Sequence, residues 1–108
     1  MTILLASSPR PQIPVAALKT YFNWLCTLCK KPLTSMQDLA VQYFAGALRT
    51  SRNRLIFWDP ELTCSNEIVD ILKNRKDLQL QYHTLLVVWL ITFEKKIARE
   101  LNKFIRSP

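Results

Sequence analysis

Two cysteines three residues apart, Cys26 and Cys29, form the one short motif in this chain that could carry chemistry. A Cys-x-x-Cys pair supports redox exchange or zinc binding when its thiolates are exposed and their charge is stabilised. Cys64 and His83 would complete a set of four zinc-type ligands, but they fall in separate predicted helices and lack paired spacing. Cys29 also sits on the apolar stripe of its helix, with Cys26 beside it. The sequence therefore favours buried cysteines acting as small hydrophobic side chains, with no metal and no cofactor. His83 is the lone histidine, set just off an apolar helix face, and a hydrogen bond at a helix surface or between helices is its expected role. A general base would need an orienting carboxylate and a target, and the acids are spread over several predicted helices without acid/base spacing. Lys96–Glu100 and Glu100–Lys103 read as helix-surface pairs worth a few tenths of a kcal/mol each.

Arg49, Arg52 and Arg54 form the densest basic cluster, and Phe57 and Trp58 follow at once. Basic and aromatic residues interleaved in this way can hold single-stranded nucleic acid by charge and stacking. The alternative places Leu55, Ile56 and Trp58 in the core and the arginines at a helix junction. No nucleic-acid-binding module pattern accompanies the cluster, which favours the core reading.

The elements that would position these residues are helical. Apolar residues recur at Val15, Leu18, Phe22, Leu25 and Cys29, with Ala17, Tyr21, Trp24 and Leu28 widening the face, up to Lys30, Lys31 and Pro32. Pro9, Pro11 and Pro14 make the preceding stretch a stiff lead-in, with Pro14 suited to a first helical turn. Thr34 and Gln37 have capping-box spacing. They open a helix with Met36, Leu39, Ala40, Tyr43 and Ala47 on one side, broadened by Val41, Phe44 and Leu48. Gly46 is expected to allow close helix contact. Ser51 is a candidate cap for a short helix over 52–58, broken by Asp59-Pro60. Thr63 or Ser65 opens a helix with Ile68, Ile71 and Leu72 inward, running into a polar loop over 73–76. Asp77 caps the next helix, whose predicted core face is Leu78, Tyr82, Leu85, Leu86, Trp89 and Phe93, its second half buried all round. A last helix turns Ile97, Ala98, Leu101, Phe104 and Ile105 inward. Trp24, Trp58 and Trp89 are all expected in the core.

Composition sets the outer limits. One glycine in 108 residues excludes glycine-rich phosphate loops and disfavours tight hairpins. Length allows one domain, with 1–12 as a lead-in or the remnant of a preceding helix and 13–108 as a helical domain. Five or six short-looped helices suit a bundle or an α-solenoid. The net charge is +7, and residues 1–54 hold seven basic groups against one acid, Asp38. Such asymmetry suggests an acidic partner. Three cysteines are not a disulfide framework and suit a reducing compartment. The first residues lack the basic start and apolar length of a signal peptide. The longest apolar run, residues 85–93, is far short of the ~18 residues needed to span a membrane.

Residues 78–104 resemble the signature helix pair of the H subunit of the vacuolar-type proton-pumping ATPase. The pattern is (I/L)-Q-L-Q-Y, an apolar run ending W-L-L-(T/S)-F, then A-x-E-L. Here it reads Leu78-Gln79-Leu80-Gln81-Tyr82, Trp89-Leu90-Ile91-Thr92-Phe93 and Ala98-Arg99-Glu100-Leu101. Upstream, Asn23-Trp24-Leu25-Cys26 is similar to the family's W-L-C helix and residues 39–48 to the helix after it. Arg52-Asn53-Arg54-Leu55-Ile56-Phe57-Trp58 is similar to its Y-R-x-x-F-W junction. Where many members have an N-P turn, this chain has Glu94-Lys95-Lys96. The resemblance covers about residues 13–106 and matches the middle to later part of the family's amino-terminal solenoid.

The resemblance implies an all-α armadillo/HEAT-like solenoid of five to six helices, without a catalytic site of its own. It implies a regulatory or assembly role in the cytosolic V1 sector, supporting ATP-driven proton transport through contacts with the peripheral stalk and other pump subunits. Its location would be peripheral, on the cytosolic face of the vacuole or other endomembranes, with the membrane sector reached indirectly. The inhibition of free V1 belongs to the family's carboxy-terminal domain and does not carry over. The interaction surface expected here is an exposed helix face with the basic turns, Arg49, Arg52, Arg54, Lys95, Lys96 and Arg99. The rival readings are a basic helical nucleic-acid-binding domain and an enzyme with a nucleophile at Cys26 or Cys29, favoured in that order after the pump role.

Overall fold

The computed structural model describes residues 13–106, with side chains described through Lys103. Six α-helices follow in order: α1 (Val15–Cys29), α2 (Thr34–Ala47), α3 (Ser51–Phe57), α4 (Cys64–Asn74), α5 (Leu78–Ile91) and α6 (Lys95–Arg106). A 3₁₀ turn, Pro60–Leu62, joins α3 to α4, and no strand occurs among the described residues. The fold is all-α and solenoid-like. The lead-in predicted over 1–12 lies outside the described residues. Pro14 stands at the N-cap of α1, where its carbonyl accepts from the Leu18 amide at 3.0 Å.

α1 packs on α2, α2 on α5, α5 on α4, and α4 back on α1, so four helices surround one core. The short α3 rides on α1. At the centre, Phe22, Phe44 and Phe57 are fully buried and meet in pairs, with ring centroids 5.2–5.9 Å apart. Two of the three contacts are edge-on, the arrangement that ring quadrupoles favour. α3 has only seven residues, too few to hold a helix in water unaided. Insertion of Phe57 between the rings of α1 and α2 fixes it.

The α1 face is largely as read, with Leu18, Phe22, Leu25, Leu28 and Cys29 buried. Val15 and Trp24, however, are about half exposed. In α2 the roles exchange. Ala40, Val41, Phe44 and Leu48 form the core, while Leu39 and Tyr43 face outward. The larger correction is α5. Leu78, Tyr82, Leu85, Trp89 and Phe93, expected as the core stripe, are 53–86% exposed. The buried side is Leu80, Thr84, Val87 and Ile91. Nearly every side of α5 is apolar, so periodicity alone could not select the inward one. Thr84 can enter the core because its hydroxyl donates to the Leu80 carbonyl at 2.7 Å.

Helix ends also depart from expectation. Thr34 is inside α2 rather than capping it, and the Gln37 side chain donates to the Cys29 carbonyl at 2.9 Å, closing the end of α1. Thr50, not Ser51, caps α3. Thr63 precedes α4 with φ 56°, a left-handed conformation uncommon for a β-branched residue, and makes no side-chain cap. Asp77 caps α5 as predicted, accepting from the Leu80 amide at 2.9 Å. Leu55 is half exposed, whereas Phe57 and Trp58 are buried. In α6, Ile97 and Leu101 are buried, and the side chains of Phe104 and Ile105 lie outside those described. Glu100 accepts from the Trp58 indole, an inward tie in place of the expected surface pairs. Gly46 makes no close helix contact, since a Cβ there would meet nothing within 4 Å.

Two stability outcomes follow, both read from urea unfolding midpoints. Phe44→Ala should cost about 3–5 kcal/mol, a large share of the ~5–15 kcal/mol available to a domain. Gly46→Ala, placed in a helix over open space, should stabilise by up to about 1 kcal/mol.

Candidate interaction surface

Each residue with chemical potential has a defined place. Cys26, Cys29 and Cys64 are free thiols, each at most 3% exposed. Cys26 approaches Cys64 at the start of α4, with sulfurs 3.0 Å apart, and Cys29 does not share that contact. The Cys64 thiol hydrogen-bonds to Cys26 and holds the Cys26 thiol below its ordinary value, while Cys64 itself is pushed up. Burial pushes Cys29 up to about 12. His83 is not with the cysteines. Its Nδ1 lies 2.5 Å from Asp38 Oδ1, an interhelical contact between α5 and α2. No group of three or more metal-ligating side chains occurs among the described residues.

Asp38 is a polar hub that the sequence did not single out, although it is the lone acid of the basic half. It accepts from His83, from Gln79 at 3.0 Å and from Gln42 at 2.9 Å. Burial works against its charge, but these hydrogen bonds, together with the His83 charge, hold its carboxyl below the ordinary range.

The six basic candidates divide by position. Arg49, Lys95, Lys96 and Arg99 are exposed. Arg52 is half-buried and donates to the Ile13 carbonyl. Arg54 turns inward. Its Nε donates to Glu94 at 3.1 Å, its Nη1 to the Leu48 carbonyl at 3.1 Å, and its guanidinium lies 5.5 Å from the Phe93 ring centroid. Arg54 thus locks the end of α2 to the α5–α6 turn. Phe57 and Trp58 are in the core, so the aromatic half of the arginine cluster offers no ring for a base to stack on.

The exposed apolar surface was hidden in the α5 pattern. Trp89 and Phe93 meet edge-on, 4.9 Å between centroids. They border an open groove of about 580 Å³ between α2 and α5, with Ala45, Gly46 and Leu86 along it and Arg49 and His83 beside them. Tyr82 and Leu85 extend the apolar surface along α5, and Leu39 and Tyr43 are exposed on α2. Aromatic and arginine side chains at an apolar depression are the usual anchors of protein contacts.

A family model for the V-ATPase H subunit, covering its amino-terminal region, matches residues 1–106. The chain belongs to the V-ATPase H-subunit family. No solved structure matches it. The H-subunit family is non-catalytic and associates with other V-ATPase subunits. No described helix is long and apolar enough to cross a membrane.

The structure explains why the family-like segments of this H-subunit chain carry the residues they do. In Gln79-Leu80-Gln81, Leu80 is fully buried, Gln79 binds Asp38, and Gln81 donates to the Ile71 and Leu72 carbonyls at 3.0 and 3.2 Å and to that of Arg75. In the junction, Asn53 donates to the Ala47 carbonyl at 2.8 Å, beside Arg54 on Leu48. These residues hold one helix to the next.

Asp38 gives a pH test. Its folded pKa is depressed, so its contribution is present above the unfolded value near about 4 and is lost as pH falls through the folded value. Asp38→Asn should destabilise the chain at pH 7 and flatten the acid limb of a stability–pH curve measured by thermal unfolding. An acid limb unchanged from the parent would remove Asp38 from its role.

Proposed function

We propose that this chain acts as a non-catalytic assembly or regulatory subunit of the V1 sector, supporting ATP-coupled proton transport through protein–protein contacts. One observation carries the reading: the aromatic surface of α5, with Tyr82, Leu85, Trp89 and Phe93 uncovered, in a chain of the V-ATPase H-subunit family. A helix that spends large aromatic side chains on an outer surface is fitted to cover by another protein. The partners are other pump subunits, with the peripheral stalk foremost. The work site is peripheral, on the cytosolic face of the endomembrane. Arg49 adds charge at the α2–α5 groove, and Lys95, Lys96 and Arg99 carry charge on α6, with Arg52 a partial contributor. Arg54 contributes by positioning, through Glu94 and Phe93.

The test is binding of the purified chain to V1 sector stripped of its own H subunit, with a peripheral-stalk pair as second bait. Micromolar or tighter binding is expected, weakened by salt because charge contributes. Trp89→Ser should weaken it about tenfold or more, as the loss of an aromatic anchor does. Arg49→Glu should weaken it and reduce its salt dependence. Failure of the folded chain to bind either bait would reject the proposal.

A further inference from the structure

Cys26, on α1, and Cys64, the first residue of α4, are 38 positions apart in the chain, yet their sulfurs lie 3.0 Å apart in the core. That is about 1 Å longer than a disulfide bond. Each side chain is held by its own helix, and the Thr63 backbone at φ 56° sets the entry of Cys64 into α4. The amide end of α4 lies at the pair and favours negative charge there. Cys29, one turn further along α1, lacks this proximity although the sequence pairs it with Cys26. The geometry therefore contradicts the Cys-x-x-Cys spacing about which two thiols belong together.

We propose that Cys26 and Cys64 form a redox modification site, a dithiol that a small peroxide converts into an intrachain disulfide. Cys26 is the attacking sulfur and Cys64 the resolving one. The Cys26 thiolate attacks one peroxide oxygen, the O–O bond breaks, and the displaced hydroxide takes up a proton, leaving a sulfenic acid on Cys26. Cys64 sulfur then attacks the Cys26 sulfur. The S–O bond breaks, the S–S bond forms, and the hydroxyl leaves as water with the proton given up by Cys64. Two thiols lose two electrons, and one hydrogen peroxide is reduced to two waters. The Cys64 thiol, with its sulfur 3.0 Å away, can donate to a Cys26 thiolate, and this hydrogen bond assigns Cys26 the first step. Both thiols are buried, so a small peroxide reaches them through local opening of the core, which a bulky disulfide requires to a greater extent. The bond staples α1 to α4 and is reversible by thiol reductants. It does not depend on the chain's place in the proton pump.

The folded 108-residue chain is titrated with hydrogen peroxide, quenched, alkylated without reduction and mapped by mass spectrometry. The expected product has lost two hydrogens, retains one alkylatable thiol of three, and links the peptides of Cys26 and Cys64. Reductant restores all three thiols. Cys29→Ser should form the same bridge, and Cys64→Ser should gain oxygen at Cys26 instead. The same treatment in guanidinium should scramble the pairing, so selectivity for Cys26–Cys64 reports the native geometry. The bridged chain should melt higher by roughly 15 °C, as closing a loop of this length implies. The proposal is overturned by a native bridge through Cys29, by sulfinic acid on Cys26 with Cys64 still reduced, or by three intact thiols at a dose that oxidises the unfolded chain. The parent chain alone decides among these outcomes, whatever the variants do.

Discussion

The constraint behind much of this fold is the disposal of helix-end carbonyls in a chain with one glycine. Helices commonly end on a left-handed residue, usually glycine, that turns the backbone and satisfies the last carbonyls. No residue that closes α1 to α5 is left-handed; among the described residues the positive φ belongs to Thr63, which precedes α4. Side chains take over much of this task. Gln37 serves the end of α1, Asn53 and Arg54 serve α2, and Gln81 serves α4. Each comes from a later helix than the one it closes. Termination of a helix and docking of a later one are therefore a single event, and the order of helices is written into the caps.

The same economy governs the α2–α5 interface. Among the described residues the buried polar ones, Gln37, Asp38 and Thr84, all have hydrogen-bond partners, and no buried side-chain nitrogen or oxygen lacks one. Asp38 gathers Gln42 from its own helix and Gln79 and His83 from α5. Apolar contact tolerates sliding, whereas a carboxylate with three donors from two helices does not. The polar hub sets the rotation of α5 about its axis. It draws Gln79 and His83 toward α2, and Leu80, Val87 and Ile91 are then the residues that enter the core.

That dependence explains what could be read in advance. Helix positions were legible because proline and polar punctuation bracket them. Asp77 is legible from its cap chemistry, and the α1 core face is legible because its opposite side is polar. The α5 face was not legible. Leu78, Tyr82, Leu85, Trp89 and Phe93 repeat as well as the buried set does, and the deciding contacts are to Asp38, more than forty residues away. The cysteines fail for the same reason. Spacing joins Cys26 to Cys29, but proximity joins it to Cys64 through the packing of α1 on α4. The basic cluster was half legible. Its density was plain, whereas the inward turn of Arg54 depends on Glu94, forty positions on.

Arg54 also links the scaffold to the exposed surface. It holds the α2 end through Leu48, the α5–α6 turn through Glu94, and the Phe93 ring from one side. Phe93 in turn meets Trp89 edge-on. The outer aromatic pair is therefore braced by the residue that closes α2. An apolar surface held this way loses little side-chain freedom when covered, so more of its contact energy remains for binding. The aromatic residues that periodicity assigned to the core lie on an outer surface, and the buried core closes without them.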